Sequence, residues 1–434
     1  YGRPALDANS GLLILAFQSE TRRRQLMREA SEADKLRLEA SETERTFTEI
    51  RALHVGLAQH RFGEIRAAEV RAAEIHAPEV GAVQIGAAEV RALELGHVVL
   101  LVFQNVEVAQ VRAGSCIGLG WTYSGTAAAS IIEDNLASVL RGRDPADVAG
   151  AWSAMRRACR NLGTKGIAMQ AISAVDIALW DLKARILDLP LTVLLGQSRN
   201  AVPIYGSGGF VTSSDAEIAQ DVADWKAAGC TRMKIKIGKA FGSQPDWDIQ
   251  RVSTFREAAG PDVELMVDAN GAYSVGRAKR IGAELDDLGV RWFEEPVSSD
   301  DKPGLIEVGA AIEADVAAGE YISDSYDAEA LVGAVSCLQL DTTRCGGYTG
   351  FLQGAAVAAA HNREVSGHCA PALHAPVAAA IPNLRHVEWF EDHVRLEPLL
   401  VDGLPAVSDG AIQLTDSAAG HGMTLAATAA DYRL

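Results

Sequence analysis

The sequence predicts an α/β protein built on a closed barrel of parallel strands. After residue 200, eight short apolar stretches recur: "VPIYGSG", "RMKIKIG", "ELMVDAN", "VRWFEEP", "DVAAGE", "CLQLDTT", "EVSGH" and "HVEWFE". Helical segments such as "DAEIAQDVADWKAAG" and "SVGRAKRIGAELDDLG" separate most of them, as β-α units of a parallel sheet require. Eight units within fewer than 200 residues suit a closed barrel better than an open doubly wound sheet.

At 434 residues the chain is long enough for two or three domains. Residues 1–97 are atypical. Residues 19–52 are dense in Arg and Glu and read as an exposed helix. A pentad then follows, in which Glu64, Glu69, Glu74, Glu79, Gln84, Glu89 and Glu94 each precede Ile, Val or Leu. A period of five suits neither an amphipathic helix nor an alternating strand. The segment reads as low-complexity sequence, or a short DNA repeat translated out of frame, and is assigned no function. Residues 98–200 form a second region. There "VEVAQVRAGSCIGLGWTYSG" alternates like strands with glycine turns, and "AMQAISAVDIALWDLKARILDLP" has helical period and stops at Pro190. The barrel occupies residues 201–393, and residues 394–434 follow it.

The composition is globular, with 48% hydrophobic and 22% charged residues. With 40 Lys+Arg against 57 Asp+Glu, the net charge of -17 argues against nucleic acid or an anionic membrane as partner. An anionic small molecule remains compatible, because a site can be locally positive. The six cysteines contain no CxxC pair and read as free thiols of a cytoplasmic protein. The apolar runs "GLLILAF" and "VVLLVF" fall short of the roughly 20 residues a membrane-spanning helix needs. No signal peptide is recognisable.

From the second onward, the barrel strands end in polar or charged residues: Lys234 and Lys236, Asp268 and Asn270, Glu294 and Glu295, Glu320, Asp341, His368, and Glu388. In a parallel barrel these ends meet at one face, where active sites lie. Converging carboxylates repel one another unless a cation neutralises them. Asp268, Glu294 and Glu320 are spaced 26 residues apart, one β-α unit each, so they come from adjacent strands. Three hard oxygen donors suit Mg2+.

Lys-x-Lys on the second barrel strand, followed by Asp, Glu and Glu closing the next three, resembles the enolase superfamily. Asp341, His368 and Glu388 on the last three strands narrow the likeness to the mandelate racemase subgroup, the mandelate racemase/muconate lactonizing enzyme family. The helix "ISAVDIALWDLKARILDLPLTVLLG" also resembles that family's link between cap and barrel, and the likeness covers roughly residues 110–434. It implies a (β/α)7β TIM-like barrel. An α+β capping domain would be formed by the N-terminal part and the C-terminal tail. That cap reads the substrate's far end and carries a mobile loop near its start, where this chain has the pentad, so its first strand is not identifiable.

The resemblance further implies roles. Asp268, Glu294 and Glu320 hold Mg2+, which binds a substrate carboxylate. Lys236 takes the α-proton from one face, leaving an enediolate. His368, oriented by Asp341, moves a proton on the other face. Glu388 hydrogen-bonds a substrate carboxylate oxygen. Lys234 shares a strand face with Lys236. At an effective dielectric of about 20 and a separation of about 6 Å, their repulsion is on the order of 3 kcal/mol, roughly two pKa units. Lys234 is therefore expected to weaken Lys236 into a useful base. Family members are commonly symmetric homo-oligomers.

Other residues have plainer readings. Glu295 and Asn270 stand behind the ligands, and His374 reads as structural or solvent-facing rather than as a residue facing the substrate. Arg344 and Cys345, after the sixth strand, either touch substrate or shape the loop. Cys369 is explained better as a neighbour of His368 than as a nucleophile. From one intermediate, loss of a β-hydroxyl gives a 2-keto-3-deoxy acid, and reprotonation gives racemisation. The subgroup favours acid-sugar dehydration. "LQLDTTR" lacks the sixth-strand lysine of the superfamily's cycloisomerases and dipeptide epimerases, which argues against both. A damaged, inactive family member is the further alternative.

Overall fold

A computed structural model describes residues 95–103, 106–414 and 418–432. The Arg/Glu-rich stretch and the pentad up to Glu94 lie outside the described residues. The first described element is strand β1 (His97–Phe103), formed by the run "VVLLVF" with His97. It pairs antiparallel with β2 (Val106–Ala113), which pairs in turn with β3 (Cys116–Thr122). The first described strand of the cap is thus found where the sequence showed only an apolar run. Only residues 104–105 join it to β2.

The helix Ile167–Ile186 lies directly on β3. Its sequence is apolar on nearly every side, as a helix covered on both faces requires. The approach depends on two glycines. A Cβ at Gly118 would sit 2.0 Å from the Ala178 carbonyl oxygen, and one at Gly120 would sit 2.3 Å from that of Ala174. Gly120→Ala is therefore expected to force the helix off the sheet and cost about 1–3 kcal/mol, read as a lower midpoint in chemical unfolding. An unchanged midpoint would mean that the sheet can shift to admit the methyl group.

Eight parallel strands close the barrel: β4 (Ala201–Gly208), β5 (Arg232–Lys236), β6 (Glu264–Asp268), β7 (Val290–Glu294), β8 (Asp315–Ala318), β9 (Cys337–Leu340), β10 (Glu364–Gly367) and β11 (Leu384–Phe390). Each pairs with the next, and β11 returns to β4. All seven connections carry a helix, so the (β/α)7β expectation holds. Inside the barrel, Tyr205, Met266, Trp292, Ala317 and Cys337 pack into a buried layer, joined by the ring of His386 against Tyr205 and Trp292. Two residues further along the same strands stand Ser207, Asp268, Glu294 and Glu388. The two-residue period of a strand thus stacks a charged layer on an apolar floor.

The C-terminal segment folds back onto the cap. Asp181 accepts hydrogen bonds from the backbone N–H of Leu119 (2.9 Å) and of His421 (2.8 Å), while Arg185 donates to the Met423 carbonyl (2.6 Å). Among the described residues, no helix is long and apolar enough to cross a membrane. All six cysteines are free.

Candidate active site at the barrel mouth

Strand register builds the site. Lys236 on β5 lies opposite Asp268 on β6, which lies opposite Glu294 on β7. Glu320 follows β8 after Gly319, whose φ of +136° and 2.2 Å clearance to the Gln339 carbonyl exclude any side chain there. One carboxylate oxygen from each of Asp268, Glu294 and Glu320 falls within 4.8 Å of the others. All three residues are buried.

Positive groups surround this trio. Lys236 Nζ pairs with Asp268 Oδ2. Lys234, fully buried, pairs with Glu294 Oε2 at 2.6 Å and with Glu388 Oε1 at 2.9 Å. Arg344 Nη1 reaches Glu320 Oε1 at 3.1 Å. His368 Nε2 stands 3.3 Å from Glu320 Oε2, close but not aligned as a hydrogen bond, and its Nδ1 meets Asp341 Oδ2 at 3.0 Å. Asp341 Oδ1 is fixed by the Thr343 N–H and hydroxyl, both at 2.7 Å. The eight residues read from the sequence therefore meet in one network.

Electrostatics follow from burial against pairing. Burial raises the Glu294 carboxyl most, Lys234 opposes it, and the group is pushed up to about 7. Burial also acts on Glu320 and Asp341, but His368 and Arg344 outweigh it and hold both well below the usual carboxylate range. Burial disfavours a charged His368. The Cys369 sulfur, Glu320 and Asp341 overcome that and lift the imidazole well above its ordinary value.

Lys236 departs from expectation. Burial and Lys234 do push it down, but the Asp268 carboxylate outweighs both, and its net shift is upward. Lys234 spends its charge on two carboxylates of its own. Lys234→Met would leave Glu294 and Glu388 buried without their shared cation. The expected cost is about 3–5 kcal/mol, measured by urea unfolding, and no loss would mean that the two glutamates are neutral in the folded chain.

Neither oxygen of Glu388 is free. Oε1 accepts from Ser207 Oγ at 2.6 Å as well as from Lys234, and Oε2 accepts from the Cys369 N–H at 2.9 Å. The expected bond to a substrate carboxylate requires one of these contacts to be exchanged. Asn270 donates to Asp268 through its N–H (2.8 Å) and its Nδ2 (3.2 Å), so it orients that carboxylate. Burial, Glu320 and Asp268 push Glu295 up to about 8. His374 is buried rather than solvent-facing, with Nε2 accepting from the Thr342 N–H (3.1 Å) and Nδ1 meeting the Ala370 carbonyl (3.0 Å). Cys345 is buried beside the Gly347 carbonyl.

Two site residues escaped the sequence reading. Ser207 braces Glu388, and the Tyr205 hydroxyl lies 3.3 Å from Lys234 Nζ. The available signal was the Tyr-x-Ser spacing in "VPIYGSG", which puts both side chains on one strand face. The cap is pinned over the loop after β9: Thr122 Oγ1 donates to the Thr343 carbonyl (2.8 Å) and Trp152 Nε1 to that of Gly346 (2.9 Å).

The donor set fits a hard dication. It is three carboxylates without sulfur or imidazole, and Glu294 Oε1 is buried without a hydrogen-bond donor.

Comparisons with known proteins place the chain in a family. Residues 103–196 match the family model of the mandelate racemase/muconate lactonizing enzyme N-terminal domain. Residues 217–429 match the enolase C-terminal domain-like model. The chain is 33% identical to L-talarate/galactarate dehydratase of Salmonella typhimurium, over 70% of this chain and 78% of that one. It is 32% identical to 3,6-anhydro-alpha-L-galactonate cycloisomerase of Streptomyces coelicolor, over 76% and 91% respectively. Among solved structures, a mandelate racemase/muconate lactonizing enzyme-like protein from Rubrobacter xylanophilus matches with a TM-score of 0.75 and 37% identity. That match covers 79% of this chain and all of the other. A Streptomyces coelicolor racemase with bound magnesium matches at TM-score 0.70 and 30% identity, over 76% of this chain and 93% of that one. The barrel and the cap thus agree with both family models, and this chain belongs to the mandelate racemase/muconate lactonizing enzyme family of the enolase superfamily.

Proposed function

We propose that this enzyme dehydrates an acid sugar to a 2-keto-3-deoxy acid, with Mg2+ as its cofactor. The observation that carries the reading is the placement of two proton-moving nitrogens at opposite ends of the carboxylate trio: Lys236 against Asp268, and His368 against Glu320. Asp268, Glu294 and Glu320 would hold the magnesium, which supplies the positive charge that binds the substrate carboxylate and stabilises the charge developing on it. A cation held by Asp268 would offset that carboxylate's pull on Lys236, and with the repulsion from Lys234 would favour the neutral amine. Lys236 then takes the α-proton. His368, kept in one tautomer by Asp341, donates from Nε2 to the departing β-hydroxyl. Seven of the eight residues are buried, whereas Lys236 keeps partial exposure at the mouth of the barrel, where a substrate would reach it.

The same two-faced arrangement serves 1,1-proton transfer, and relatives include a racemase and cycloisomerases. Epimerisation or another isomerisation is therefore the second reading. Proton NMR of the chain with Mg2+ in D2O, offered acid sugars and 2-hydroxy acids, separates the two. Loss of the α-proton with growth of a 2-keto-3-deoxy product supports dehydration. Exchange with the carbon skeleton intact supports isomerisation. Silence across the panel in a chain that binds Mg2+ counts against both.

A further inference from the structure

We propose that His368 Nε2, Cys369 Sγ and Glu388 Oε2 form a second metal site, which takes a thiophilic dication such as Zn2+ and withdraws His368 from proton transfer. The sulfur lies 3.4 Å from the imidazole nitrogen and 3.4 Å from the carboxylate oxygen, and those two are 3.7 Å apart. With zinc–sulfur bonds near 2.3 Å and zinc–nitrogen or –oxygen bonds near 2.0–2.1 Å, the corners of a tetrahedral site lie roughly 3.4–3.6 Å apart. The three donors already stand at about that spacing, and all three residues are buried. Along a regular strand, consecutive side chains point apart. Here the left-handed backbone of Cys369, with φ at +52°, brings its sulfur round to its neighbour.

Each donor is held from behind. Asp341 Oδ2 engages His368 Nδ1 at 3.0 Å and leaves Nε2 as the ligand, the arrangement by which carboxylates orient metal-bound histidines. Ser207 and Lys234 engage Glu388 Oε1 and leave Oε2 facing the sulfur, with the Cys369 N–H also on it at 2.9 Å. Softness sorts the two centres: three oxygens suit Mg2+, whereas thiolate with imidazole selects zinc-like ions. They share a wall, because His368 Nε2 is also 3.3 Å from Glu320 Oε2. Loading releases the thiol proton, and that of a charged imidazole, to solvent, since a coordinating thiol is deprotonated outright. Three protein ligands leave the fourth corner open.

The test uses the full chain saturated with Mg2+. Added Co2+ is expected to produce a thiolate-to-cobalt charge-transfer band that saturates at one equivalent. That band should be absent in Cys369→Ser and retained in Asp268→Asn. X-ray absorption of the zinc-loaded wild type is expected to show one sulfur at about 2.3 Å with nitrogen or oxygen at about 2.0–2.1 Å. A band surviving in Cys369→Ser, or a zinc shell without sulfur, overturns the site. His368→Asn keeps the thiol and gives an independent reading. Its cobalt affinity is expected to fall at least tenfold, and an unchanged affinity overturns the proposal even where Cys369→Ser does not fold. Inhibition by zinc that a tenfold excess of Mg2+ reverses would place the zinc on the carboxylate trio instead.

Discussion

Lys236→Met is expected to lower turnover by roughly 10^2–10^4-fold, the range of general-base catalysis, and to abolish exchange of the substrate α-proton with solvent. His368→Asn is expected to lower product formation over the same range yet leave α-proton exchange measurable. The asymmetry follows from the layout. Lys236 stands at the Asp268 end of the trio and His368 at the Glu320 end, so removing one leaves the other in place. In the proposed dehydration the lysine acts first, on the α-carbon, and the histidine second, on the leaving hydroxyl. If His368→Asn lost exchange while Lys236→Met kept it, the histidine would be the base and the assignment of faces would reverse. If neither variant lost exchange, a residue outside the network would be taking the proton.

The barrel was legible because its chemistry repeats with its architecture. Asp268, Glu294 and Glu320 recur at one β-α unit, and a parallel barrel gathers such strand ends whatever the helices between them look like. The sign of the shift on Lys236 was not legible. Lys234 is two residues away in the sequence, whereas Asp268 is a neighbour only through strand register. A linear reading sees the repulsion and misses the ion pair. Glu388 shows the same limit: its position at a strand end was plain, but its saturation by Ser207, Lys234 and the Cys369 N–H comes from three other points of the fold. Strand β1 escaped because "VVLLVF" is apolar on both alternations, and period alone cannot assign such a run. Substrate preference belongs to the same class of question, since the cap meets the barrel through Thr122, Trp152 and the loop after β9, contacts between residues distant in sequence.

Asp268→Asn is expected to remove the stabilisation that magnesium confers. For a chain with an intact trio, Mg2+ at 100 times its dissociation constant adds about 2.7 kcal/mol to unfolding, seen as a rise in melting temperature with added metal. The physical source is mutual repulsion. Three buried carboxylates share a space in which one oxygen of each lies within 4.8 Å of the others, and Lys236, Lys234, Arg344 and His368 offset that repulsion only from the edges. A dication at the centre relieves it directly. Asparagine keeps the shape and the Asn270 N–H contact on one oxygen but removes a charge, so both affinity and the magnesium-linked shift should go. Lys236→Met supplies the counterpart: it deletes the proposed base yet leaves all three carboxylates, and its melting temperature should still rise with Mg2+. A magnesium response that survived in Asp268→Asn would move the metal elsewhere. One that vanished in Lys236→Met would mean that the lysine builds the metal site rather than acting beside it.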